Sequence, residues 1–180
     1  NLVVFDQNVP KNSLDSIVPD LATGWETTDG GRKIVFKTRE GVKWHDGKPF
    51  SAADVACTFD LILTPDRLRR NPRSAWYTNL EKVTADNPSQ VTFHLKQPQP
   101  SLLALLASGY TPIYPCHVPA ADMRRKPVGT GPFKLADFRM NEGIKLVKNP
   151  DYWKPGRPYL DAIEFSIIPN RATSLLTFVA

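Results

Sequence analysis

Apolar residues recur along this chain at two spacings, and the changes between them lay out its secondary structure. Ala52, Val55, Ala56, Phe59, Ile62 and Leu63 return at intervals of three and four, so they share one face of a helix. Ser51-Ala52-Ala53-Asp54 gives that helix a capping box, in which hydroxyl and carboxylate satisfy first-turn amides, and Thr64-Pro65 closes it. A shorter apolar helix is expected after Pro100-Ser101, through Leu102, Leu103, Leu105 and Leu106. Elsewhere the period drops to two. Val91, Phe93 and Leu95 alternate with Thr92, His94 and Lys96, the pattern of a strand with one face in the core, and Asn87-Pro88 turns the chain before it. This predicts a hairpin over 80–96 whose outward residues, His94 among them, are solvated. A second hairpin is expected where 24–27 and 34–38 flank Asp29-Gly30-Gly31, and a third where 133–138 and 144–147 flank Asn141-Glu142-Gly143. A further strand is expected over 162–168, a short one over 2–5, and a helix capped by Asn170 that carries Ala172, Leu175, Leu176 and Val179. The arginine-rich stretch 66–78 and the Pro-punctuated stretch 109–127 read as loops. The sum is one compact α+β unit, mainly antiparallel hairpins covered on one face by the helix at 51–63 and the shorter one near 102.

Composition narrows the class. With 180 residues, 41% hydrophobic and 23% charged, the chain is neither a disordered tail nor a membrane span, since no apolar run approaches the roughly 18 residues needed to cross a bilayer. Seventeen prolines against 10 glycines imply ordered loops with many fixed bends. Two cysteines, Cys57 and Cys116, are too few for a disulfide-framed mini-protein, show no CxxC spacing, and by themselves indicate no redox compartment. The first residue is Asn1, and the last helical pattern reaches Ala180 without a stop signal, so the sequence is expected to be a piece of something longer.

Catalytic and metal signatures are sparse. Gly129-Thr130-Gly131 is the only GxG, and Pro132 follows it where a phosphate-binding helix would have to donate amides. Cys116 and His117 adjoin, yet zinc needs four ligands and the spacing offers no second pair. Cys57, on the helix face, reads as a small core residue, and His45 beside Asp46 as part of a turn network. The basic clusters, Arg67 to Arg73 and Arg124-Arg125-Lys126, account for the net charge of +5 and read as solvated loops. An alternative is an interaction or nucleic-acid module built on the 67–77 loop, where Trp76 and Tyr77 follow Arg73, but no recognition-helix, RRM, KH or OB signature accompanies it.

Two long blocks are less generic. Residues 21–59 contain Leu-Ala-Thr-Gly-Trp25-Glu, then Gly41-Val-Lys-Trp44-His45-Asp46-Gly47-Lys-Pro-Phe50, then Ser-Ala-Ala-Asp54-Val; residues 127–170 contain Pro-Val-Gly129-Thr-Gly131-Pro132-Phe, Asn-Pro-Asp-Tyr152-Trp153 and Ile168-Pro-Asn170. In this order they closely resemble the extracytoplasmic solute-binding proteins of family 5, the peptide and nickel binders that feed ABC importers. The resemblance implies a two-lobed type II periplasmic-binding fold. This chain would be the small subdomain of the first lobe with connecting edges at about 1–25 and 160–180, lacking the N-terminal strand, the hinge and the second lobe. It implies a non-catalytic protein with no cofactor, periplasmic or lipid-anchored outside the cytoplasm, capturing a peptide or similar small organic ligand for importer permease subunits, with no nucleic-acid partner. Arg73 and Trp76 resemble an Arg-x-x-Trp segment that lines the cleft in nickel-transport members, and Gly109, Tyr110 and Thr111 take a similar cleft-facing place. The nickel binders' arginine in that second loop has no equivalent, so a nickel chelate is not expected. The remaining landmarks read as scaffold: Gly41 and Gly47 for turns, Asp46 for an Asx turn, Trp44 and Phe50 as apolar clamps, Trp25 and Asp54 within their strand and helix, Gly129, Gly131 and Pro132 for a tight lead into the strand at Phe133, and Tyr152 and Trp153 at a corner.

Overall fold

The computed structural model describes residues 1–64 and 74–179. Their contacts gather into two units, one of Asn1–Val42 with Pro49–His117 and one of Lys43–Lys48 with Val118–Ala180.

The first unit is built on four antiparallel strands. β1 (Val3–Phe5) and β2 (Ile17–Pro19) form a separate pair, while β3 (Ala22–Thr28), β4 (Lys33–Thr38), β5 (Leu80–Asn87) and β6 (Gln90–Leu95) form a sheet in the order β3-β4-β6-β5. The period-two pattern decides its register: Ile34 sits opposite Phe93 and Phe36 opposite Val91, so four buried apolar residues meet on one face. Helix α1 (Ala52–Leu63) packs on β5 and β6 through its predicted apolar face. Its Val55 and Phe59 are fully buried. Phe59 meets Phe93 edge-on at 4.8 Å between ring centroids, Phe93 meets Phe36 at 5.3 Å, and Tyr77 closes the row on Phe59 at 5.4 Å. Such tilted contacts add to the area the rings bury.

Three features differ from the sequence expectation. Residues 14–19, which show no periodic pattern, form a 3-10 turn (Leu14–Ser16) and β2; three residues are too few to display alternation. Helix α2 (Leu102–Ala107) packs on β1 and β2 instead of joining α1 over the large sheet. Thr92 and His94 lie on the outward side of β6 but are not simply solvated: Thr92 is buried and His94 half-buried. The Thr92 hydroxyl donates to Asp86, which also accepts from Thr84 and Gln90, and His94 Nε2 lies 3.0 Å from the Thr84 hydroxyl. Partial burial works to raise the Asp86 pKa, but the bonds from Thr92, Gln90 and Thr84 outweigh it and hold the carboxyl below its usual range.

In the second unit β7 (Phe133–Arg139), β8 (Gly143–Lys148) and β9 (Ala162–Ser166) form an antiparallel sheet in sequence order, and α3 (Arg171–Val179) follows. Asn170 caps α3 as expected, its Oδ1 accepting the amides of Ala172 and Thr173 at 2.8 and 3.2 Å. Leu175, Leu176 and Phe178 of that helix are exposed. Among the described residues of this unit only Trp44, Asn149 and Pro158 are buried.

Phe93 joins strand, sheet face and helix, so Phe93→Ala is expected to cost about 3–5 kcal/mol of stability in urea unfolding, as for other deletions of buried rings. A loss below about 1 kcal/mol would show that the ring row is not the core of this unit.

Candidate functional site

Asp54, Cys57 and Thr58 recur at i, i+3 and i+4 and therefore share one face of α1. That face holds an extended segment, residues 111–116, along the helix. In this strap Thr111, Ile113 and Pro115 are buried and alternate with half-buried Pro112 and Tyr114, the period of a strand, although no strand forms there. Pro112 and Pro115 have no N–H to give to a ladder, the Thr111 N–H donates to the Ser108 carbonyl at 3.3 Å, and side chains of α1 take two further donors. The Tyr114 N–H donates to Thr58 Oγ1 at 2.9 Å, and the Cys116 N–H to Asp54 Oδ1 at 2.9 Å. Asp54 Oδ2 meanwhile accepts the Ser51 N–H at 3.0 Å, completing the expected capping box. A disulfide joins Cys57 to Cys116. The two cysteines are thus neither a small core residue nor half of a zinc pair; their partnership is tertiary, and nothing in their spacing announced it.

The strap begins beneath an exposed aromatic pair. Thr111 is buried, and its hydroxyl donates to the Leu105 carbonyl at 3.0 Å while lying 2.7 Å from the Tyr77 hydroxyl, which then donates to it. Tyr77 ends a 3-10 turn, Ser74–Tyr77, so the same bond fixes that turn. On the outer side Trp76 and Tyr110, 43% and 60% exposed, meet edge to face with centroids 5.9 Å apart and planes at 72°. Two loops far apart in sequence are in this way brought to one place. Trp76, Gly109, Tyr110 and Thr111 gather there, Thr111 as support from below and Gly109 with open space where a side chain would stand. Arg73, with Arg67, Arg69 and Arg70, lies outside the described residues.

The landmark motifs of the second unit make a different network, centred on His45. Its backbone N–H donates to the Gly129 carbonyl at 2.8 Å, its Nδ1 lies 3.2 Å from the Gly129 amide, and its Nε2 lies 2.9 Å from the Gly131 carbonyl. One tautomer serves both ring contacts: neutral imidazole with the proton on Nε2, so that Nδ1 accepts. Gly129 suits this approach, because a Cβ there would stand 3.3 Å from the ring's Cε1 and the imidazole would have to shift by a few tenths of an ångström. The 43–48 loop itself is shaped by Asp46, whose Oδ1 accepts the Lys48 N–H at 3.2 Å, and by Gly47 at φ 87°. Asn149 makes the corresponding corner, giving its side-chain amide to the Gly131 carbonyl at 3.1 Å and accepting the Asp151 N–H at 3.2 Å ahead of the Tyr152–Trp153 ring contact. Burial is the main cause that lowers the His45 pKa below 6.5, and Lys134 adds to it, against the opposing effects of the Gly131 bond and Asp46. Each of these contacts joins a landmark side chain to loop backbone.

Antiparallel sheets with a few helices make this an α+β fold, and solved periplasmic binding proteins share it. The profile of the Bacterial extracellular solute-binding proteins, family 5 Middle, matches residues 16–180, and the chain belongs to that family. It is 36% identical over 160 residues to the oligopeptide-binding protein AppA of Bacillus subtilis, covering 83% of this chain and 29% of the relative. The structure of AppA with a nonapeptide superposes with a TM-score of 0.84 at 32% identity, over 98% of this chain and 35% of that one. The glutathione-binding protein GsiB of Escherichia coli K12 is 33% identical over 159 residues, 85% of this chain and 30% of its own. MoaA from A. tumefaciens R10, solved with mannopinic acid, gives a TM-score of 0.87 at 31% identity, over 99% of this chain and 36% of that one. The chain spans about a third of the length of these relatives. Family members are binding proteins that work outside the cytoplasm.

A depressed histidine pKa has a definite consequence for stability. As pH falls the unfolded chain takes up the proton first, so the contribution of neutral His45 is complete above about 6.5 and is lost as pH drops from there through the folded pKa. Urea midpoints measured between about pH 7.5 and 5 are expected to fall in that window, and less steeply in His45→Gln. Equal slopes in the two proteins would mean that the imidazole is not held neutral.

Proposed function

We propose that these residues form part of the first lobe of a two-lobed solute-binding protein, the capture component of an ABC-type importer, with the Trp76–Tyr110 pair on the ligand-facing wall. The observation that carries this reading is that pair: two large exposed rings, contributed by separate loops and supported from beneath by the Tyr77–Thr111 bond. Exposed Trp and Tyr offer flat apolar area at low entropic cost, and the tyrosine hydroxyl adds a polar handle. Peptide is the favoured ligand class, because the named ligands of AppA and GsiB are an oligopeptide and glutathione. Arg73, three positions before Trp76, would hold a carboxylate bidentately. Coverage of about a third of each relative and the uncovered apolar residues of α3 both support a larger whole. The Cys57–Cys116 disulfide fits the oxidising space outside the cytoplasm, periplasmic or at a lipid anchor, where such a protein meets its permease. Tyr77, one of the two aromatics on which the nucleic-acid alternative relied, is buried and so unable to stack on a base.

Calorimetric titration with a synthetic nonapeptide tests both parts. A full-length protein containing these residues is expected to bind, Trp76→Ala and Tyr110→Ala each weakening affinity about tenfold, while the 180-residue chain alone shows no micromolar binding because it supplies half of a clamp. Unchanged affinity in both variants would remove the aromatic pair from the site, and tight binding by the isolated chain would refute the clamp.

A further inference from the structure

We infer that the Cys57–Cys116 disulfide is a positioning element for the ligand-facing loop, so that its redox state sets how firmly Tyr110 and Thr111 are held and how well ligand binds. The inference rests on the ligand-wall reading of Trp76 and Tyr110.

Consider what holds the strap at each point. At its start is the Thr111 hydroxyl, bonded to Leu105 and Tyr77. In the middle are the buried Ile113 side chain and the Tyr114 amide on Thr58. At its end are the Cys116 amide on Asp54 and the disulfide. No strand pairing backs these anchors, since residues 111–115 lie outside any strand or helix. Thr111 keeps its own bonds to Leu105, Tyr77 and Ser108, so the two amide bonds to α1 are what would remain at the strap's far end without the disulfide, and a short segment held by two such bonds opens at modest cost. The covalent link is the one anchor that thermal fluctuation does not break. Helix α1, by contrast, is held independently, by its capping box and by Val55 and Phe59 in the aromatic core. Opening the disulfide therefore frees the strap's far end, leaves Thr111 to hold the near end alone, and leaves the helix in place. Tyr110 adjoins Thr111, so a loosened strap lets its ring leave Trp76 and raises the ordering cost that ligand must meet.

The bond is also reachable. Cys116 is exposed, which gives a small thiol reagent access to its sulfur. A dithiol opens it by two successive exchanges: its first thiolate displaces one cysteine sulfur to form a mixed disulfide, and its second closes the reagent's own ring. Two electrons and two protons pass to Cys57 and Cys116, which become thiols, and the reagent leaves as a cyclic disulfide.

The test is hydrogen exchange by mass spectrometry on the full-length protein, oxidised and after treatment with a dithiol, beside nonapeptide titration of both forms. Reduction is expected to speed exchange at Tyr114 and Cys116 by about tenfold or more, leave α1 and β6 unchanged, and weaken nonapeptide binding by a similar factor. Because the reduced protein is made from folded material, it remains informative if Cys57→Ser/Cys116→Ser does not fold. Unchanged exchange at Tyr114 and Cys116 overturns the proposal. Faster exchange spreading through α1 overturns it too, since the bond would then support the whole unit and not the loop. Should Trp76→Ala weaken binding while reduction does not, the disulfide is not a positioning element. Should neither change affinity, the ligand-wall reading itself falls and takes the affinity half of the proposal with it.

Discussion

The polar face of α1 is the constraint on which the first unit depends. An amphipathic helix normally turns its apolar side to a sheet and its polar side to water. Here the apolar side, with Val55 and Phe59, meets the sheet, while Asp54, Cys57 and Thr58 on another face replace water with a second segment of chain. Asp54 serves twice, capping its own helix and receiving the Cys116 amide. This face sets the path of residues 114–116, while Leu105 and Tyr77 hold Thr111 at the other end of the strap.

The same solution recurs in the second unit with different chemistry. In three places where the backbone runs outside a ladder, a specific side chain supplies a partner: Thr58 and Asp54 for the strap, His45 for the Gly129-Thr130-Gly131 loop, Asn149 for the corner before Tyr152. Buried amides and carbonyls must be paired, and a chain with 17 prolines cannot pair them all by sheet and helix. The landmark residues of the family are therefore the ones that hold irregular backbone in place.

That division of labour explains how family and ligand separate. Solved relatives carrying a nonapeptide and mannopinic acid share this fold, so the fold by itself does not choose a ligand. In the reading proposed above, exposed positions such as Trp76 and Tyr110 would supply the ligand contacts on a scaffold that supplies rigidity.

By itself the sequence determined the locally governed features. The period of apolar residues placed α1, β4 and β6, the Ser51 and Asn170 caps and the Asp29-Gly30-Gly31 turn set boundaries, and the landmark blocks pointed to the family, because each depends on residues a few positions apart. Tertiary structure alone decided the rest. The pairing of Cys57 with Cys116, the seat of α2 on β1 and β2, the burial of Thr92 and the meeting of Trp76 with Tyr110 are all contacts between distant segments, and no local spacing encodes them. The physical reason is that periodicity reports which face of an element seeks burial, whereas the partner it finds is chosen by the packing of the whole unit.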